Sequence, residues 1–136
     1  MSLNLVRLGA VLFMLGLVTG LFSSFAPNPR MGLSAHLEGV MNGAFLMALG
    51  AAWPHVRLGA AAEKAAFALL AYGTCVNWLS VTLAAMWNTG AMTPIASPAP
   101  TAAPWQEAIV NGGLISISLA MIAGVGLVIR GLFAAR

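Results

Sequence analysis

Long apolar runs separated by three short polar or proline-rich breaks organise this chain. The runs extend from Leu3 to Phe25, Ser34 to Val56, Ala61 to Trp87 and Gln106 to Phe133. A helix needs about 20 residues to cross a hydrocarbon core, and each run is long enough. The pattern predicts an all-α integral membrane four-helix bundle, two helix hairpins in a single domain over residues 1–136. The first break, Pro27 to Gly32, is short and turn-rich, as expected between antiparallel neighbours. Ser34 is expected to cap the second helix and to set Glu38 near the positive end of its dipole. The last break, Thr93 to Pro104, is rich in Pro, Ala, Ser and Thr and has no charge. It should be non-helical and lie extended over one mouth of the bundle, as a lid or a plain linker.

Inside the apolar runs one polar signature occurs twice. Glu38-Gly-Val-Met-Asn42-Gly opens the second run and Glu107-Ala-Ile-Val-Asn111-Gly opens the fourth. At about 100° per residue, the two polar side chains of each copy point within about 40° of each other. Such groups are expensive in lipid, so they either line an interior or staple helices together at about 1 kcal/mol per hydrogen bond. The two copies suggest a duplication whose halves are related by an axis along the membrane normal. His36 precedes the first copy, where the second has Trp105. It lies about 120° around the helix from Asn42, so one helix offers an amide to one surface and an imidazole to another. An oligomer with a cofactor at the subunit seam would satisfy both; the alternative is a histidine wetted at the membrane interface. Asn77, near the middle of the third run, must find a partner or line a cavity. Trp53, Trp87 and Trp105 fall at predicted helix ends and read as interface-belt residues. Gly16-x-x-x-Gly20 and Gly39-x-x-x-Gly43 permit close helix approach. Cys75 has no partner for a disulfide or a thiolate metal site and reads as a small hydrophobe.

Composition confirms the class. Hydrophobic residues make up 60% and charged residues 7% of the 136, with a mean hydropathy of +0.92; a soluble domain would be about a quarter charged. The net charge of +3 describes topology and not a nucleic-acid surface. Arg7, Arg57, Lys64, Arg130 and Arg136 fall on one side of a four-span arrangement, and Arg30 on the other. The positive-inside rule then puts both termini in the cytoplasm, in a bacterial-type inner membrane. The first run resembles a secretory signal ending at Ser24-Phe25-Ala26, but its length and the following Pro27 favour a retained helix. Phosphate loops, nucleophile-base pairs and Cys/His clusters are missing. With His36 as the one plausible ligand, iron would have to come as a haem with a single protein axial ligand and an open opposite face. Two rivals are weakened by what is missing. A small multidrug-type transporter would carry a carboxylate inside helix one, and a haem-binding electron carrier or membrane anchor would need a second intramembrane histidine.

The run Asn28-Pro-Arg-Met-Gly-Leu-Ser-Ala-His36-Leu-Glu38-Gly-Val-Met-Asn42-Gly, with Asn77-Trp78 and Glu107-x-x-x-Asn111-Gly, resembles the hydroxylaminobenzene mutase family, to which the styrene oxide isomerases are related. The resemblance covers essentially the whole chain. It implies a membrane isomerase of four helices that rearranges an aromatic substrate without net redox change. For the styrene oxide isomerase branch it implies a homotrimer with haem b at the subunit interfaces. His36 matches that branch's axial haem-iron ligand, and Asn42 and Asn77 match amides near its substrate. A tyrosine follows the helix-three Asn by one turn in that branch; here Val81 stands in its place. That departure favours the mutase side, in which hydroxylaminobenzene becomes 2-aminophenol, over epoxide-to-aldehyde isomerisation. The implied mechanism has ferric haem as a Lewis acid on the substrate oxygen in a water-poor pocket. Asn42, Asn77 and Glu38 are then the candidate catalytic groups, and Trp78, Tyr72, Asn111 and Glu107 the candidate substrate-binding ones.

Overall fold

The computed structural model describes residues 1–134, so Arg136 lies outside it. Four helices account for most of them: α1, Ser2–Phe22; α2, Pro29–Ala52; α3, Ala60–Trp87; and α4, Pro104–Phe133. Single 3-10 turns at Ser23–Phe25 and Trp53–His55 close α1 and α2. No strand occurs among the described residues. α1, α3 and α4 are long and apolar enough to cross a membrane. α2 has the length, but Arg30, His36, Glu38 and Asn42 dilute its apolar character. The chain is an all-helical membrane protein.

The helix starts correct one expectation. α2 begins at Pro29, five residues before Ser34, and Asn28 is its cap, its side-chain oxygen accepting from the Met31 N–H at 3.1 Å. Proline loses no helical hydrogen bond at the first position, and the asparagine before it supplies the oxygen that an orphan N–H requires. Ser34 is already inside the helix, donating back to the Arg30 carbonyl at 3.1 Å. Pro104 likewise takes the first position of α4, but there the cap is Ala103, which has no side-chain oxygen, and its N–H donates to Gln106 Oε1 at 2.7 Å. α3 ends at Asn88, whose left-handed conformation, φ 51°, is one that asparagine tolerates.

α1 packs on α2 over most of its length, α3 on α4, and α2 joins the two hairpins through α3. The α1–α2 seam is made of glycines. A Cβ at Gly9 would sit 2.6 Å from the Gly43 carbonyl oxygen, and Gly16 lies backbone to backbone against Gly39. Close approach of this kind holds helices by van der Waals contact where lipid removes the hydrophobic drive. Two apolar clusters fill the bundle. One, around Leu5, Leu12, Leu46, Leu70 and Val128, lies toward the end that carries Arg7, Arg57, Lys64 and Arg130. The other, around Met31, Ala35, Val81, Ala84 and Val110, lies toward the opposite mouth. Trp53 is not a belt residue: it is buried in the first cluster, where its indole N–H donates to Glu63 Oε1 at 2.9 Å. That bond removes the penalty of burying the indole dipole. Trp87 and Trp105 meet edge to face at 5.3 Å near the mouth.

The segment between α3 and α4 is non-helical, as expected, but it is folded into turns and not extended. Asn88 donates to the Ala99 carbonyl at 2.9 Å and accepts from Ser97 Oγ at 2.6 Å. Asn28 reaches Asn88 Oδ1 at 3.1 Å and the Ala96 carbonyl at 3.2 Å. These bonds tie the segment to the start of α2 and the end of α3.

Candidate active site between α2 and α3

α2 presents Glu38 and Asn42 one turn apart on its α3 side. Glu38 Oε2 accepts from Asn42 Nδ2 at 3.1 Å and from Asn77 Nδ2 at 2.5 Å. One carboxyl oxygen thus gathers the two amides that the sequence marked, one from its own helix and one from α3. All three side chains are half-buried. Among the described residues, Glu38 Oε1 and the two Asn Oδ1 atoms have no hydrogen-bond partner, and they are not sealed off in the bundle. The cluster therefore offers three free acceptor oxygens and the remaining amide protons to an incoming molecule.

His36 lies on the other flank of α2. Its Nδ1 is 2.9 Å from the Gly16 carbonyl oxygen of α1. A Cβ at Gly20 would come within 2.6 Å of that same nitrogen, so the ring has room only because Gly20 lacks a side chain. A carbonyl can only accept, so Nδ1 carries the proton and the Nε2 lone pair is left over. A backbone carbonyl on one ring nitrogen is a common way to orient a histidine that binds metal through the other. Nε2 has no partner among the described residues. Those residues hold no group of three or more His, Cys, Asp or Glu placed to bind a bare metal ion. The donor set suits a metal that brings its own equatorial ligands and needs one axial nitrogen, as haem does.

The remaining marked residues separate. Tyr72 and Asn77 are five residues apart on α3, about 140° around the helix, and the same spacing separates Asn111 from Ser116 on α4. Tyr72 bonds Ser116 at 2.8 Å across the α3–α4 pair, while Asn77 turns to Glu38 of α2. The Asn111 Oδ1 is buried with no hydrogen-bond partner among the described residues. Glu107 is not in the cluster. Its carboxylate oxygens accept from the Gly90 N–H at 2.7 Å and the Ala91 N–H at 3.2 Å, holding the α3–α4 segment. The two Glu/Asn copies, alike in sequence, thus make different contacts. Trp78, next after Asn77, turns to α1, where its indole N–H donates to Thr19 Oγ1 at 3.1 Å. The only sign of Thr19 in the sequence is a hydroxyl inside a strongly apolar helix.

A helical membrane protein with a carboxyl-amide cluster between α2 and α3, and a singly bonded histidine on the opposite flank of α2, has the layout of a small membrane enzyme. The chain belongs to the styrene oxide isomerase family, whose profile matches residues 1–133. It is 48% identical over 130 residues to hydroxylaminobenzene mutase HabB of Ectopseudomonas oleovorans, covering 95% of this chain and 79% of that protein. It is 46% identical over 124 residues to hydroxylaminobenzene mutase HabA of the same organism, covering 90% and 92%. With relatives this similar over most of its length, the chain is an isomerase. No solved structure gives a significant match.

Proposed function

We propose that this isomerase converts hydroxylaminobenzene to 2-aminophenol in a bacterial inner membrane, working as a homotrimer with haem b held by His36 at the subunit seams. The observation that carries the reading is the joining of Asn42 and Asn77 on one oxygen of Glu38, in a chain whose relatives are named for that mutase activity. Both termini face the cytoplasm in this reading, because four of the described cations lie at their end of the bundle.

The reaction is an isomerisation. The N–O bond breaks, a C–O bond forms at the adjacent ring carbon, that carbon loses its proton and nitrogen gains one. The free acceptors of Asn42 and Asn77 would hold the substrate N–H and O–H, fixing which ring carbon receives the oxygen. Glu38 Oε1, unpaired beside them, would take the ring proton and return it to nitrogen, a transfer over one site that needs no bulk water. The apolar surroundings would keep solvent from attacking the ring elsewhere. When bound at His36 Nε2, ferric haem supplies Lewis acidity toward the substrate oxygen. Because His36 and the Glu38 cluster occupy different flanks of α2, the histidine of one subunit and the amides of its neighbour would face a single seam.

The test is turnover of hydroxylaminobenzene by purified protein in nanodiscs, with 2-aminophenol followed chromatographically and the absorption spectrum recorded on the same sample. Conversion with a Soret band supports the reading; absence of conversion in haem-loaded protein rejects it. The family's own description keeps aryl epoxide isomerisation as a second substrate to assay.

A further inference from the structure

α1 supplies no member of the Glu38–Asn42–Asn77 cluster, yet it touches the residues next to two of them. Trp78 follows Asn77 on α3, about 100° around the helix. The two side chains therefore leave adjacent flanks, Asn77 to Glu38 of α2 and Trp78 to α1. Trp78 Cδ1 lies 3.0 Å from where a Cβ at Gly39 would stand, and Gly39 in turn rests backbone to backbone on Gly16 of α1. Consecutive residues of α2, Glu38 and Gly39, thus meet consecutive residues of α3, Asn77 and Trp78.

The indole is tethered as well as packed. Its N–H donates to Thr19 Oγ1 at 3.1 Å, and the Thr19 hydroxyl spends its own proton on the Leu15 carbonyl at 2.7 Å. A hydroxyl has one proton, so Thr19 faces the indole as an acceptor only. Trp78 lies within the α3 span, where water does not replace a lost acceptor. A helix held through one side chain can roll about its axis, but α3 is held on two flanks, by Glu38 and by Thr19. Loss of the Thr19 oxygen leaves the indole N–H unsatisfied unless α3 rolls, and a roll carries Asn77 off the Glu38 carboxyl oxygen.

We infer that Thr19 and Trp78 are positioning residues for the isomerisation: through the roll of α3 they set how Asn77 seats on Glu38, and with it which ring carbon receives the oxygen. They act through Asn77 and not by contact with the substrate, the role the sequence suggested for Trp78. The catalytic consequence rests on the mutase reading, while the mechanical link from Thr19 to Glu38 stands on the contacts.

The experiment uses Thr19→Val, which keeps the side chain's shape and removes its oxygen, with Thr19→Ser to restore it, all in nanodiscs. Two quantities are read. One is the infrared band of the Glu38 carboxyl group, assigned by its loss in Glu38→Gln among the three acids of the chain. The other is the ratio of 2-aminophenol to its 4-isomer formed from hydroxylaminobenzene. Thr19→Val should shift the band and lower the ratio at least about fivefold, the worth of one hydrogen bond, and Thr19→Ser should return both. Trp78→Phe, which removes the N–H, should act in the same direction, and adding Thr19→Val to it should change nothing further, because both delete one bond. Ser118→Ala is the control: it also removes a hydroxyl bonded back to the carbonyl one turn earlier, at 3.0 Å, and should alter neither quantity. An unmoved Glu38 band in Thr19→Val overturns the inference with or without turnover, and so does an unmoved ratio in an active protein or an equal change in Ser118→Ala. A band that shifts in Thr19→Val and returns in Thr19→Ser, in a protein without turnover, supports the link from Thr19 to Glu38 while rejecting the mutase.

Discussion

Glu38 of α2 and Asn77 of α3 meet at 2.5 Å, through the same carboxyl oxygen that holds Asn42 one turn along. The bond crosses between the two hairpins and makes the position of each amide depend on the carboxyl group. Replacing Glu38 with Ala should lower stability by about 1–2 kcal/mol, the worth of two polar contacts in a membrane bundle, and lower turnover by about 100-fold or more. Glu38→Gln, which keeps one acceptor oxygen, should recover most of the stability and little of the activity. Reversible unfolding in mixed detergent and single-turnover rates check the two effects separately.

His36→Ala should abolish the Soret band, whereas Asn42→Ala should keep it and lose turnover, because the imidazole and the amide face different flanks of α2. Gly20→Leu should also lose haem without touching a ligand, since its side chain would enter the space of the His36 ring. Equal haem content in His36→Ala and the parent protein would remove His36 from the ligand role.

A seam shared between subunits predicts complementation. Co-expressed His36→Ala and Asn42→Ala chains should regain activity in mixed oligomers, in which some seams pair an intact histidine with an intact amide. Native mass spectrometry from mild detergent should show a trimer. Fully active monomers would reject the shared site.

Glu107→Ala should free the α3–α4 segment by leaving the Gly90 and Ala91 N–H groups unpaired. Loss of these charge-assisted bonds should cost about 1–3 kcal/mol locally. Faster amide exchange at residues 88–103, with α1 and α2 unchanged, is the expected readout. If Glu107 instead contacts substrate, the Michaelis constant rises while exchange stays as in the parent protein.

Much of this protein was determined by the sequence itself, because lipid permits few alternatives: an apolar run of about 20 residues must become a helix, since nothing outside it can satisfy its backbone. Periodicity likewise set His36 and Asn42 on separate flanks of α2, and the rarity of polar groups in the runs marked Glu38, Asn42 and Asn77. Only the tertiary structure decided which of the two similar Glu/Asn copies gathers amides and which grips a turn. Spacing along a helix says where a side chain points, but not what the neighbouring helix brings to meet it. Glu38 meets Asn77 because α2 packs on α3 at that level, while Glu107, one turn into α4, finds the backbone of a segment folded over the mouth. The register of Trp78 against Thr19 likewise follows from how α1 and α3 lean on α2, set by the glycine seam that brings α1 and α2 backbone to backbone.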